Sequence, residues 1–272
     1  MNELKFSVSM CVYGGDNAKD FDEALESVFN QTLIPNQVVL VVDGPIPNDI
    51  DQVINNYENQ YDFFEVYRLK ENQGHGNARR FGFSKCNYDY VAIADADDIN
   101  VKDRFEIQMD YFKKNPTLSA ISSGCYHFVN SIDNVLNEEI LPQTDSEIKS
   151  FLKKRCPLCQ PSVILRKEDV DKAGGYLDWY HAEDYYLWIR MFLNGATFAN
   201  SEKSLVYMRT DPDQVNRRGG YKYYKSMQTL FKYMFNNDVI DYKTYLFNVS
   251  SRFVMQVLMP SKLRAFVRKK ML

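Results

Sequence analysis

The chain has 272 residues, 45% of them hydrophobic and 25% charged, which is the balance of a globular protein with one large domain or a domain plus an appendage. Its net charge of -3 excludes a nucleic-acid binder held by its overall field. No stretch approaches the ~20 consecutive apolar residues that a membrane-spanning helix needs.

Phe6–Val12 is a short apolar run of strand type, and no basic segment precedes it, so the start of the chain is expected to be a first strand and not a signal peptide. Asp20–Asn30 carries Phe21, Leu25, Val28 and Phe29 at helical spacing. Gln37–Val42 is dense in β-branched residues, as for a strand buried on both faces. A helix is expected around Ile50–Tyr57, a strand at Phe64–Leu69, a helix at Asn77–Ser84, a strand at Tyr90–Ala94 and a helix at Val101–Lys114. Strands alternating with helices imply βαβ units and a parallel sheet. Beyond Leu118 the pattern loosens: Leu118–Ser122 and Ser162–Leu165 have strand character, Ser146–Lys154 and Ala182–Leu193 helical character. From Tyr221 the chain is helical and aromatic, with Pro260 as an interruption. The division expected is an α/β body over 1–210 and a helical appendage over 211–272.

The appendage is basic. No acidic residue follows Asp241, whereas Lys243, Arg252, Lys262, Arg264, Arg268, Lys269 and Lys270 do. Apolar Leu246, Phe247, Phe253, Val254, Val257 and Leu258 recur there at near-helical spacing. Peripheral attachment to an anionic membrane is one expectation for this tail; packing on the body or on a second subunit, as in a homodimer, is the other. The five cysteines (Cys11, Cys86, Cys125, Cys156 and Cys159) are odd in number and scattered, which suits a reducing, cytoplasmic setting. Cys156-Pro-Leu-Cys159 lacks the second ligand pair of a structural zinc site and is read as two unliganded thiols.

In open α/β sheets, ligands bind beyond the carboxyl ends of the strands. Asp43 ends one expected strand, and Asp95 ends another with Asp97 and Asp98 directly after it. Carboxylates this close repel unless a cation sits among them, and an oxygen-only ligand set suits Mg²⁺ or Mn²⁺ bound partly through substrate phosphates. An exposed turn with a helix N-cap is the plainer reading of an isolated Asp-x-Asp; the strand before this one favours the metal. Between the two strand ends, Asn72-Gln-Gly-His-Gly-Asn-Ala-Arg-Arg80 opens a helix with two glycines, which admit a ligand to the backbone, and two arginines, which can meet phosphate. Glu183-Asp184 opens a later helix, where a fixed carboxylate is placed to act as a general base on a hydroxyl. Trp179, Tyr180 and His181 just before it are candidates for stacking on or lining an acceptor site.

Together these residues resemble family 2 of the inverting glycosyltransferases, with the GT-A fold. The matching segments are Ser7-Val-Ser-Met-Cys-Val-Tyr13, Val41-Val-Asp-Gly44, Asn72-x-Gly-x-Gly-Asn-Ala-Arg79, Asp95-Ala-Asp-Asp98 and Glu183-Asp184-Tyr-x-Leu-Trp188, in the family's order over roughly residues 5–210. The resemblance implies a UDP-sugar donor, with Asp43 on the uracil or ribose and Asn72, Gly74 and Arg79 near the nucleotide. It implies that Asp95 touches the ribose or the metal, that Asp97 ligates the metal, and that Asp184, next to Glu183, deprotonates a glycan or lipid-linked saccharide acceptor. Bacterial surface polysaccharide synthesis is the setting it suggests. Two segments depart from the family: Gln160-Pro161 stands where many relatives have His, and Gln214-Val-Asn-Arg217-Arg218 resembles the Gln-x-x-Arg-Trp of processive synthases without its Trp. Arg217 is still expected to reach the diphosphate. The alternatives are a sugar-phosphate nucleotidyltransferase, against which Asp16 stands because it follows Gly14-Gly15 where a base belongs, and a non-catalytic nucleotide-sugar or glycan-binding module, against which the Glu183-Asp184 pair stands.

Overall fold

The computed structural model describes residues 4–210 and 219–260. The chain runs β1 (Phe6–Tyr13), α1 (Ala18–Phe29), β2 (Gln37–Asp43), α2 (Asn48–Glu58), β3 (Phe64–Arg68), α3 (His75–Lys85), β4 (Tyr90–Ile93), β5 (Ile99–Asn100) and α4 (Arg104–Lys114). It continues through β6 (Ala120–Val129), β7 (Ser131–Glu139), α5 (Asp145–Leu152), β8 (Ile164–Arg166), α6 (Lys167–Lys172), α7 (Glu183–Leu193) and β9 (Phe198–Arg209), then α8 (Tyr221–Asn236) and α9 (Tyr242–Phe253).

One sheet organises the body, in the order β3-β2-β1-β4-β8-β6-β9-β5, with β7 added beside β6. The first four strands are parallel, as the alternating pattern predicted. Past β4 the sheet becomes mixed: β8 is antiparallel to both β4 and β6, whereas β6 and β9 are parallel. Strands β7 and β9 are absent from the sequence-based expectation, which closed β6 at Ser122. Gly124 sits at a bulge between β6 and β9. A Cβ there would lie 2.2 Å from the Glu139 carbonyl oxygen, so only glycine lets β7 close against the bulge.

Each face of the sheet carries a core. Alternate residues Phe6, Val8, Met10 and Val12 of β1 and Val38, Leu40 and Val42 of β2 meet Phe21, Leu25 and Val28 of α1. Asn17 caps α1 by accepting from the backbone N–H groups of Lys19 and Asp20, a contribution of about 1 kcal/mol. The opposite face is lined with small residues where α3 lies: a Cβ on Gly82 would fall 2.9 Å from Val41 Cγ2 and 3.0 Å from Ser9 Oγ. That close approach draws the first turn of α3 down towards the carboxyl ends of β1 and β4. Farther along this face, fully buried Trp188 of α7 shares a cluster with Met227, Leu230, Phe231 and Met234 of α8.

Over the described residues 221–258 the aromatic C-terminal segment is helical as expected, and a π-helical turn at Val254–Leu258 ends before Pro260; the basic residues from Lys262 onward lie outside the described residues. Helix α9 is held by Asn248 Nδ2, which donates to the Lys153 carbonyl oxygen at 2.9 Å, and by Arg252 Nη2, which donates to that of Lys154 at 3.0 Å. It leaves Tyr242, Leu246, Phe247, Val254 and Leu258 exposed. Among the described residues, no helix is long and apolar enough to cross a membrane. The cysteine expectation needs one correction. Cys159 is bonded to Cys125 as a disulfide, because the segment entering the 3₁₀ turn Gln160–Ser162 packs along β6 through Ser122. Cys156 of the same pair remains a thiol.

Candidate active site

The acidic run forms the turn between β4 and β5, and it is pinned from a distance. Buried Asp98 accepts the Arg209 backbone N–H at 2.9 Å, and Arg209 Nε donates to the Asp97 carbonyl oxygen at 3.0 Å. The Arg209 guanidinium also pairs with Asp20 at 3.3 Å and Glu23 at 2.7 Å on α1. Asp98 thus faces the fold, and burial together with Asp97 and Asp95 pushes its carboxyl well above the usual range. Asp97 reaches solvent, and its carboxyl is pushed up to about 6 by desolvation and then by the charges of Asp95 and Asp16. Asp95 differs: burial alone would raise it, but the Arg79 guanidinium holds it below the usual carboxylate range. Behind the run, fully buried Arg104 donates to the Ile93 carbonyl oxygen at 2.9 Å and to Gln108 Oε1 at 3.0 Å.

The glycine-rich segment folds into the loop before α3. Both carboxylate oxygens of buried Asp43 are engaged there: Oδ1 accepts from the Gln73 N–H at 2.7 Å and Oδ2 from the Gly74 N–H at 3.1 Å. Asn72 completes the loop by donating to the Asp43 carbonyl oxygen at 3.2 Å and accepting from the Gly74 N–H at 3.1 Å. Gly44 has φ +88°, and a Cβ there would sit 2.6 Å from Asn72 N, so the turn after β2 requires glycine. One turn into α3, Arg79 is 2% exposed and donates from Nη2 to Asp95 Oδ1 at 2.6 Å. Its Nε is buried without a hydrogen-bond partner.

Glu183 and Asp184 open α7 on the other side. Glu183 Oε1 lies 2.9 Å from His75 Nδ1, and this contact keeps its carboxyl below the usual range although burial opposes it. Asp184 Oδ1 accepts from the Tyr185 N–H at 2.6 Å, and its Oδ2 is 3.8 Å from the Cys156 thiol. Of the acceptor candidates, Trp179 packs on Tyr186 with ring centroids 4.3 Å apart. Tyr180 is exposed with Lys222 Nζ 4.1 Å above its ring, and His181 stands at φ +53° with its ring 4.3 Å from that of Tyr180. Gln160, in place of the family's His, is buried and donates to Tyr176 Oη at 3.1 Å. Arg217 lies outside the described residues.

The structure therefore gathers Asp95 and Arg79, with Asp97 beside them and Asp43, Asn72 and Gly74 behind the same loop. It also adds residues that the sequence did not mark as part of the site. His75 bridges Arg79 and Glu183, since its Nε2 is 2.7 Å from Arg79 Nη2. Asp16, whose Oδ2 accepts from the Tyr13 N–H at 2.9 Å, is a further carboxylate at this end of the sheet, pushed up to about 6 by burial and in part by Asp95. The one signal for Asp16 was its place directly after the first strand and two glycines.

Among the described residues, no group of three or more His, Cys, Asp or Glu side chains is arranged to hold a metal alone. Asp95 and Asp97 nevertheless fit a hard divalent cation. They offer only oxygen, Asp97 lies beside the charges of Asp95 and Asp16, and Mg²⁺-type ions typically take one or two carboxylates and complete their shell with water and substrate phosphates.

Residues 7–175 match the model of glycosyl transferase family 2. The chain is 32% identical over 269 residues to the Escherichia coli UDP-Gal:alpha-D-GlcNAc-diphosphoundecaprenol beta-1,3-galactosyltransferase, covering 98% of this chain and 96% of that one. It is 31% identical over 227 residues to the Erwinia amylovora amylovoran biosynthesis glycosyltransferase AmsE, with 84% of each chain covered. Its fold is similar to that of S. aureus TarS 1-349 in complex with UDP-GlcNAc, with a TM-score of 0.68 and 18% identity over 93% of this chain and 74% of that one. A Pyrobaculum calidifontis mannosyltransferase in complex with GDP-Man and Mn2+ shares the fold at a TM-score of 0.64 and 14% identity, over 92% of this chain and 70% of that one. With its GT-A fold and its carboxylates gathered at the strand ends, this chain belongs to glycosyl transferase family 2 and is a glycosyltransferase.

Proposed function

We propose that the enzyme transfers a sugar from a UDP-sugar to a hydroxyl of a lipid-linked saccharide, with inversion and with dependence on Mn²⁺ or Mg²⁺, in bacterial surface polysaccharide synthesis. The observation that carries this reading is the opposition of two differently prepared carboxylate sets. On one side, Asp97 carries a carboxyl raised by burial and by the charges of Asp95 and Asp16, beside an Asp95 paired to Arg79; on the other, Glu183-Asp184 opens α7. The similarity to a galactosyltransferase acting on a diphosphoundecaprenol-linked sugar supports a UDP-sugar donor and a lipid-linked acceptor.

Asp95 and Asp97 are the residues that would hold the cation. When bound, such a cation neutralises the charge that develops on the leaving diphosphate. Asp184 accepts the proton of the attacking hydroxyl, and attack from the face opposite the leaving group gives inversion. Arg79 keeps Asp95 ionised and fixed, whereas Asp43 presents loop 72–74 to the nucleotide through its backbone. Trp179, Tyr180 and His181 border the acceptor side.

The division into a body over 1–210 that carries the chemistry and an appendage over 211–272 belongs to the same reading; of the appendage, the described helices α8 and α9 pack on the body. The exposed apolar residues of α9 and of the turn after it, together with the basic residues that follow Asp241, support peripheral contact with the cytoplasmic face of a membrane, where a lipid-linked acceptor is presented.

The test is UDP release from UDP-galactose, UDP-glucose or UDP-N-acetylglucosamine with a GlcNAc-diphospho-lipid acceptor, in Mn²⁺ and in EDTA. UDP formation that needs donor, acceptor and cation together supports the reading. Equal release in EDTA, or none with any donor, overturns it.

A further inference from the structure

Three hydrogen bonds run in series across the site. Arg79 Nη2 donates to Asp95 Oδ1 at 2.6 Å, the same nitrogen is 2.7 Å from His75 Nε2, and His75 Nδ1 is 2.9 Å from Glu183 Oε1. The proton positions along this line follow from the chemistry of its ends. A guanidinium has only donors, so Nε2 of His75 has to accept. A carboxylate has only acceptors, so Nδ1 has to carry the proton and donate. The imidazole is thereby fixed as the neutral Nδ1–H tautomer, with its ring plane set from both sides.

The backbone supports the same placement. His75 is the first residue of α3, reached through Gly74 at φ +86°, and Gly74 is itself held by Asp43. Gly76 lets the segment before α7 approach: a Cβ there would lie 3.2 Å from Asp178 Cα. His75 is thus drawn into the gap between α3 and α7, whereas its outer edge stays open to solvent, with 53% of the side chain exposed.

We propose that His75 is a positioning residue that couples the donor side to the acceptor side, by fixing Glu183, and through it the start of α7 with Asp184, relative to the Arg79–Asp95 pair. This rests on the assignment of Asp95 to the donor side and Asp184 to the acceptor side. His75 itself touches neither reacting atom; it acts through Glu183. A glutamine can reproduce its function, because an amide presents one acceptor and one donor side by side, as the neutral imidazole does here.

Two measurements test it. The first does not depend on turnover: long-range ¹H–¹⁵N correlation of the imidazoles in the full-length protein, which has 3 histidines. The signal lost in His75→Gln should be the Nδ1–H tautomer at pH 7.5, and an Nε2–H tautomer or an imidazolium overturns the proposal even if no donor sugar has been found. The second is kinetic. His75→Ala should lower kcat by about 10–100-fold, the usual effect of removing a group that orients a site residue, and His75→Gln should restore most of the loss. Adding His75→Ala to Glu183→Gln should then cost little further, because the two changes break one contact. UDP affinity by calorimetry should move little in either single variant. Full additivity of the two changes, unaltered kcat in His75→Ala, or failure of glutamine to restore it where alanine is impaired, overturns the proposal.

Discussion

Asp98 on the turn after β4 accepts the backbone N–H of Arg209, 111 residues later in the chain, at 2.9 Å. The last strand of the sheet therefore sets the height of the acidic turn, and Asp98 is spent on the fold. Asp95 and Asp97 are left as the pair proposed to meet the ligand. This separates three adjacent carboxylates that the sequence presents as equals.

Asp97→Ala should abolish the dependence of UDP binding on Mn²⁺. In the wild-type protein, titration calorimetry should give a markedly weaker Kd in EDTA; in the variant, the values with and without cation should coincide. Equal wild-type affinity in both buffers would remove Asp97 from the metal.

Asp184→Asn should leave UDP-sugar affinity nearly unchanged while turnover falls by about two to four orders of magnitude, the range expected for a lost general base. The substitution is nearly isosteric and keeps an oxygen for the Tyr185 N–H. A variant retaining more than about a tenth of wild-type turnover would exclude that role.

Asp16 gives a pH prediction. Its carboxyl is raised from 3.8 to about 6, chiefly by burial and in part by Asp95. A folded-state value above the unfolded one means that the native protein binds the proton more tightly. The charged form therefore opposes folding, with no effect below the unfolded value and the full penalty above the folded one. Without added cation, Asp16→Asn should melt higher than wild type above pH 6, and the gap should close as pH falls below 4. A gap independent of pH would show that the change acts through packing.

The tail gives a fourth prediction. Vesicles rich in anionic lipid should float the full chain more efficiently than neutral vesicles, and high salt should weaken the attraction. Truncation after Asp241 should eliminate it. Equal recovery with both vesicle types, or none with either, would mean that α9 packs against protein.

Legibility in the sequence followed the range of the forces involved. The parallel half of the sheet was legible because strands such as Gln37–Asp43 and helices such as α1 declare themselves over a few residues. The placement of Asp43, Asp95 and Asp97 at strand ends was legible for the same reason, since each directly follows or ends a β-branched or apolar run. What escaped was long-range pairing. His75 meets Glu183 across 108 positions, and no spacing rule connects them. Arg209 looks like an ordinary charged residue at a strand end until the sheet brings it to Asp20, Glu23 and Asp98. Strand β7 was hidden because it is exposed along nearly its whole length and lacks a buried alternate face.

The bonds from Asp43 to loop 72–74 have a thermodynamic consequence. A loop whose N–H groups are already satisfied by a buried carboxylate is ordered before any ligand arrives, so its conformational entropy is lost on folding and not on binding. If the nucleotide binds where proposed, its affinity at this edge depends on how well it fits a rigid rim. On that placement, replacing Asp43 would shift the ordering penalty from the folding reaction to each round of donor capture.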